Sequence, residues 1–117
     1  MFAVQSLSEN TFQPNGYFLT HGQAKASALA DIIKAGVRYV ADAGLQTLVL
    51  LCDAGTGNCA ALKSLGLSTG NHQVDVGDRM CNVAYDPVHD FKCARNAILL
   101  KNNNKYTSAG KPLTANI

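Results

Sequence analysis

Two apolar runs constrain this chain most, QTLVLLCD at residues 46–53 and MCNVAYD at residues 80–86, because each breaks off at an aspartate. Apolar side chains at consecutive rather than alternate positions predict strands buried on both faces and central in a sheet. Each run is followed by a helix signal. After Asp53 come Gly55 and Gly57, then a short helix from Asn58 to Leu65 closed by Gly66. Asp86 suits an N-cap and Pro87 the first helical position, so a second helix opens there and runs to about Lys101. Strand, helix, strand and helix in this order predict parallel strands joined by a crossover.

Upstream, Leu29, Ile32, Ile33, Val37 and Val40 recur at helical spacing, which predicts a helix from Gln23 to Ala43. Gly44 is placed to end it in a left-handed C-cap. MFAVQSL and YFLT read as short strands that pair as a hairpin across the turn-rich SENTFQPNG. Residues 68–79 read as a polar loop. The fold class is therefore α/β, with a mixed sheet of an N-terminal hairpin plus two central parallel strands, flanked by helices. Residues 102–117 read as a polar, flexible tail.

At 117 residues and 47% apolar, the chain fits one small domain with a real core. Its charge is uneven: residues 91–117 carry five Lys/Arg and no acid, whereas residues 1–90 carry five Lys/Arg and eight Asp/Glu. Such an end either faces a polyanion or is a solvated tail. Cys52, Cys59, Cys81 and Cys93 form no C-x-x-C pair, which points to reduced, structural thiols. A zinc site from Cys81, His89 and Cys93 fits no common zinc module. No apolar run approaches the ~18 residues of a membrane span, and the start, MFAVQSLSEN, lacks the pattern of a secretory signal.

The Asp53 loop admits two chemistries. Gly55, Gly57 and Ala60 give G-x-G-x-x-A between a strand and a helix, the context of a cofactor loop. DAGTG also looks like the first motif of methyltransferases that use S-adenosylmethionine, although Cys59 stands where a third glycine is usual and a hairpin and long helix come first. No Gly-Lys-Ser/Thr follows, which excludes a P-loop. The second chemistry is a metal site, because carboxylates at neighbouring strand tips suit a hard divalent cation. DPVHDFKCARNAILL then places Asp86 and His89 one helical turn apart, with Lys92, Arg95 and Asn96 at helical offsets where the cations can meet phosphate. The plain alternatives are an N-capped amphipathic helix and a non-catalytic interaction module.

PNGYFLT, GLQTLVLLCDAGTGN and DPVHDFKCARN stand in the order of three motifs that the chain shares with P-element-type DNA transposases, and it resembles their RNase H-like catalytic core over residues 1–101. Val88 departs from the usual proline and Asp90 from an apolar residue. The resemblance implies a partial RNase H-like fold that lacks its first strand and the first catalytic aspartate on it. It implies that Asp53 is the second acid of a D-D-E metal triad, that Asp86 and His89 match the D-x-x-H element, and that Asn58 belongs to D-x-G-x-x-N and orients Asp53 or caps the next helix. It also implies Mg²⁺ as cofactor, transposon-end DNA as partner, contacts from Lys92 and Arg95 to the DNA backbone, nuclear location and oligomer formation through other regions. The family's GTP site and last acid lie outside this chain. With one triad ligand, the chain alone is expected to be inactive.

Overall fold

In a computed structural model, described over residues 1–100 and over the backbone of residues 107–108 and 111–112, the chain is an α/β structure. Strands β1 (Phe2–Gln5) and β2 (Phe12–Gly16) form an antiparallel hairpin. Helix α1 (Ala26–Asp42) leads to β3 (Val49–Cys52), α2 (Thr56–Ser64), β4 (Gln73–Asp75), β5 (Met80–Tyr85) and α3 (Pro87–Leu100). Strands β6 (Thr107–Ser108) and β7 (Lys111–Pro112) pair antiparallel. The rest of the expected flexible tail, over residues 102–117, lies outside the described residues.

Strands β3 and β5 pair in parallel, Leu50 opposite Val83 and Cys52 opposite Tyr85. The sheet order is β3-β5-β4, so β3 is an edge rather than the expected central strand. The expectation of burial on both faces also fails. Leu50 and Cys52 pack toward the helices, whereas Val49 and Leu51 face outward, with Leu51 69% exposed. Helices α1 and α2 cover one face, through Ala30, Val37, Ala61, Leu62 and Leu65 against Val74, Val76 and Cys81. Among the described residues nothing covers the other face and no strand pairs with the outer edge of β3.

Both helix ends follow the glycine rule. At Gly44 (φ +80°) the amide donates to Ala41 and the Leu45 amide to Val40, and at Gly66 (φ +106°) the equivalent bonds run to Lys63 and Leu62. These are Schellman closures, which need the left-handed backbone that glycine adopts without strain.

The second hairpin strand is FQPNG, not YFLT. Pro14 lacks an amide hydrogen but is tolerated on an edge strand. Phe18 instead turns back onto Phe2, edge to face at 5.9 Å between ring centroids, and Phe2 lies over α1 beside Gly36. The hairpin forms its own sheet and is not hydrogen-bonded to the parallel pair. Residues 68–79 also differ from the expected loop, since β4 lies there and pairs antiparallel with β5. Val74 and Val76, spaced by two, fill the core on one side of it.

Candidate functional site at the strand tips

The parallel register fixes the site. Because Cys52 and Tyr85 are partners, the next residues, Asp53 and Asp86, leave the sheet side by side, and the Asp86 amide donates to the Cys52 carbonyl at 2.9 Å. Two aspartates 33 positions apart in sequence thus reach one end of the sheet.

The Asp53 side chain is held. Its Oδ1 accepts from the Gly55 amide at 3.0 Å and from Asn58 Nδ2 at 2.6 Å, and Asn58 Nδ2 also reaches the Asp53 carbonyl at 3.3 Å. Asn58 lies on the first turn of α2, so the helix sets the carboxylate's direction. The cap itself is Gly55, which offers no side chain to the helix. Both bonds fall on Oδ1, and among the described residues Oδ2 takes part in no hydrogen bond, on a side chain that is exposed.

Asp86 Oδ1 accepts from the Val88 amide at 2.9 Å and caps α3 as the sequence suggests. Among the described residues no hydrogen bond joins His89, half-buried on the first turn of α3, to Asp53 or Asp86. Lys92 and Arg95 lie further along α3, exposed, on the face that also carries Val88 and Phe91. Arg95 turns its Nε and Nη2 to Asn96 Oδ1, at 3.3 and 3.0 Å.

Beneath the carboxylates is a half-buried group that the sequence did not single out. Cys59 Sγ donates to Tyr85 Oη at 3.7 Å, and Cys52 is the cross-strand neighbour of Tyr85. Burial, then the charges of Asp53, Cys59 and Asp90, push the Cys52 thiol up to about 11. Burial, then the bond from Cys59, pushes the Tyr85 hydroxyl up to about 12. Cys52 and Tyr85 stay neutral near pH 7 and line the sheet directly before the two aspartates. The signal for them was parity, since Cys52 and Tyr85 occupy inward positions of β3 and β5.

A magnesium ion suits an exposed carboxylate oxygen and keeps several of its waters. Asp53 supplies that donor type, with Asp86 alongside. Among the described residues no group of three or more His, Cys, Asp or Glu gathers to hold a metal ion, so the donor chemistry fits and the donor number falls short. The alternative cofactor loop fares less well. The Gly55 amide, which such a loop would turn toward a ligand, is occupied by Asp53. A Cβ at Gly57 would come no nearer than 3.9 Å to its surroundings, so no close backbone approach demands glycine there.

Among the described residues no helix is long and apolar enough to cross a membrane. No curated protein and no solved structure matches the chain. One family model does, described as TNP-like, RNase H N-terminal domain, and it matches residues 1–66, which take in the hairpin, α1, β3, the Asp53 loop and α2. With more than half its length matched, and with a hairpin, a helix and a strand ending in a held aspartate in that order, the chain belongs to the TNP-like RNase H N-terminal domain family and is transposase-like.

Proposed function

We propose that the chain is part of the catalytic domain of a P-element-type DNA transposase, acting in the nucleus, and that Asp53 is a ligand of its catalytic magnesium. The observation that carries this reading is the Asp53 carboxylate at the tip of β3. One oxygen is fixed by Gly55 and Asn58, the other takes part in no hydrogen bond among the described residues, and Asp86 stands at the neighbouring tip. The finer assignment to the P-element type draws on DPVHDFKCARN, which lies beyond the span of the family match.

The reaction class is phosphodiester exchange: hydrolysis frees a 3′-hydroxyl at a transposon end, and that hydroxyl then attacks target DNA. Asp53 would hold the metal, which would supply activation of the attacking oxygen and compensation of phosphate charge. The chain's own residues do the positioning. Asn58 and the Gly55 amide aim the Asp53 carboxylate, Asp86 starts α3 at the site, His89 lies on the first turn of that helix, and Lys92 and Arg95 offer cations to the DNA backbone. The outer edge of β3, unpaired among the described residues, supports the reading, because a strand docked there would bring its own tip residue beside Asp53. Until such a strand is supplied, the donor set is incomplete and the chain is inactive in strand cleavage.

Manganese titration of the full chain tests this. Paramagnetic broadening should centre on the amides of residues 53–58 and 86–90, at millimolar metal, and vanish in Asp53→Asn. Broadening centred elsewhere, or indifferent to Asp53→Asn, removes the proposal.

A further inference from the structure

The α3 face that carries Lys92 and Arg95 also carries two apolar side chains, Val88 and Phe91, to which the strand-tip site gives no role. Val88, Phe91, Lys92 and Arg95 fall at i, i+3, i+4 and i+7, which is one helix face. They line a groove of about 280 Å³. Phe91 is 77% exposed and Val88 59%, so the ring stands in solvent with Lys92 and Arg95 next to it on the C-terminal side. What sets this face apart from the other exposed apolar side chains is that its ring and the two cations of α3 share it.

We propose that this face of α3 binds single-stranded DNA, with a base stacked on Phe91 and the adjoining phosphates held by Lys92 and Arg95. The proposal rests on reading the strand tips as a DNA-acting site. Stacking on an exposed ring is sequence-tolerant because every base has a π-face, and flanking cations track the backbone. From Val88 to Arg95 the helix rises about 10 Å, enough for one nucleotide and the phosphates on each side of it. Asp90, on the first turn, places negative charge near the start of the groove, so the DNA backbone follows the Lys92–Arg95 end.

The chain contains no tryptophan, so Phe91→Trp creates a single indole reporter on the full-length protein. A short oligothymidylate titrated in EDTA should quench its emission and shield it from acrylamide. Phe91→Ala, read against wild type by the anisotropy of a dye-labelled oligothymidylate, should lose roughly 5- to 150-fold in affinity, the worth of one stacked base. Changing Lys92 and Arg95 together to glutamine should flatten the slope of log affinity on log salt by about 1.4, at ~0.7 for each phosphate on a single strand. Unchanged affinity in Phe91→Ala, or equal binding of a blunt duplex, overturns the proposal. Emission that shifts with protein concentration in the absence of DNA also overturns it and makes the face a self-association surface. EDTA excludes divalent ions, so this readout is independent of whether Asp53 binds metal, and the two readings fail separately.

Discussion

Replacing Gly55 by alanine separates the position of the Asp53 carboxylate from the stability of the fold. The backbone at Gly55 (φ −59°, ψ 145°) is one that alanine adopts freely, so no conformational strain arises. The obstacle is local. A Cβ at this position would lie 2.9 Å from Asp53 Oδ1, where ordinary contact begins at 3.4 Å. The oxygen must therefore retreat by about 0.5 Å, the difference of those two distances. That movement takes it away from the residue-55 amide, now at 3.0 Å, and out of line with Asn58 Nδ2. Solvent competes for these bonds at an exposed site, so their loss costs about 1 kcal/mol, below the ~1.5–3 kcal/mol of a charged acceptor shielded from water. Alanine returns ~0.4–1 kcal/mol by restricting the unfolded chain. The two nearly cancel. Gly57→Ala is the control: its nearest obstacle is 3.9 Å away, it lies within α2, and it should stabilise by roughly 0.5–1 kcal/mol. Thermal unfolding and amide spectra of both variants decide the matter. Gly55→Ala should leave the melting temperature nearly unchanged, move the residue-55 amide upfield and weaken manganese broadening several-fold. Equal stabilisation by both substitutions, with the residue-55 amide and the broadening unmoved, refutes the account of how Asp53 is held.

Two further outcomes follow from the core and from Cys52 and Tyr85. Arg79, on the turn into β5, buries its Nε and Nη1 with no hydrogen-bond partner among the described residues; Arg79→Met, similar in length, should raise the urea midpoint by the equivalent of about 1–2 kcal/mol, and a lower midpoint would show that those donors are satisfied in solution. The fold favours the protonated forms of Cys52 and Tyr85, from ordinary values of 9.0 and 10.0 to about 11 and about 12. Their contribution is thus complete below pH 9 and is lost as pH rises through 11 and 12. Urea midpoints should fall over that window, less steeply in Tyr85→Phe, and midpoints level from pH 8.5 to 11.5 would contradict the assignment.

The parallel pair and its terminal aspartates were legible because apolar runs that stop at Asp leave few alternatives, and the Asp86–Pro87 helix start carries its own chemistry. The exposure of Val49 and Leu51 was not legible. Their side chains encode burial, but what would cover them is not among the described residues, so sequence pattern and local environment disagree there. Strand β4 escaped because Gln73–Asp75 offers a single inward residue, Val74, inside a polar stretch; the alternation of Val74 with Val76 before Gly77 was the available sign. YFLT misled because aromatic and β-branched residues favour strands, while Phe18 gains more by packing on Phe2. At the site, the spacing of Asp53 and Asn58 was readable, but the Gly55 amide and the Cys59–Tyr85 contact needed the register of β3 on β5.

That register has a kinetic consequence. Leu50 and Val83 meet only after the intervening helix, turn and antiparallel strand have closed a long loop, and contacts of that separation form late and slowly. Asp53 can acquire its bonds to Gly55 and Asn58 early, within a few residues of chain, yet it waits for Asp86 until the last ladder zips. A chain emerging from synthesis therefore carries an aimed carboxylate well before it carries a site.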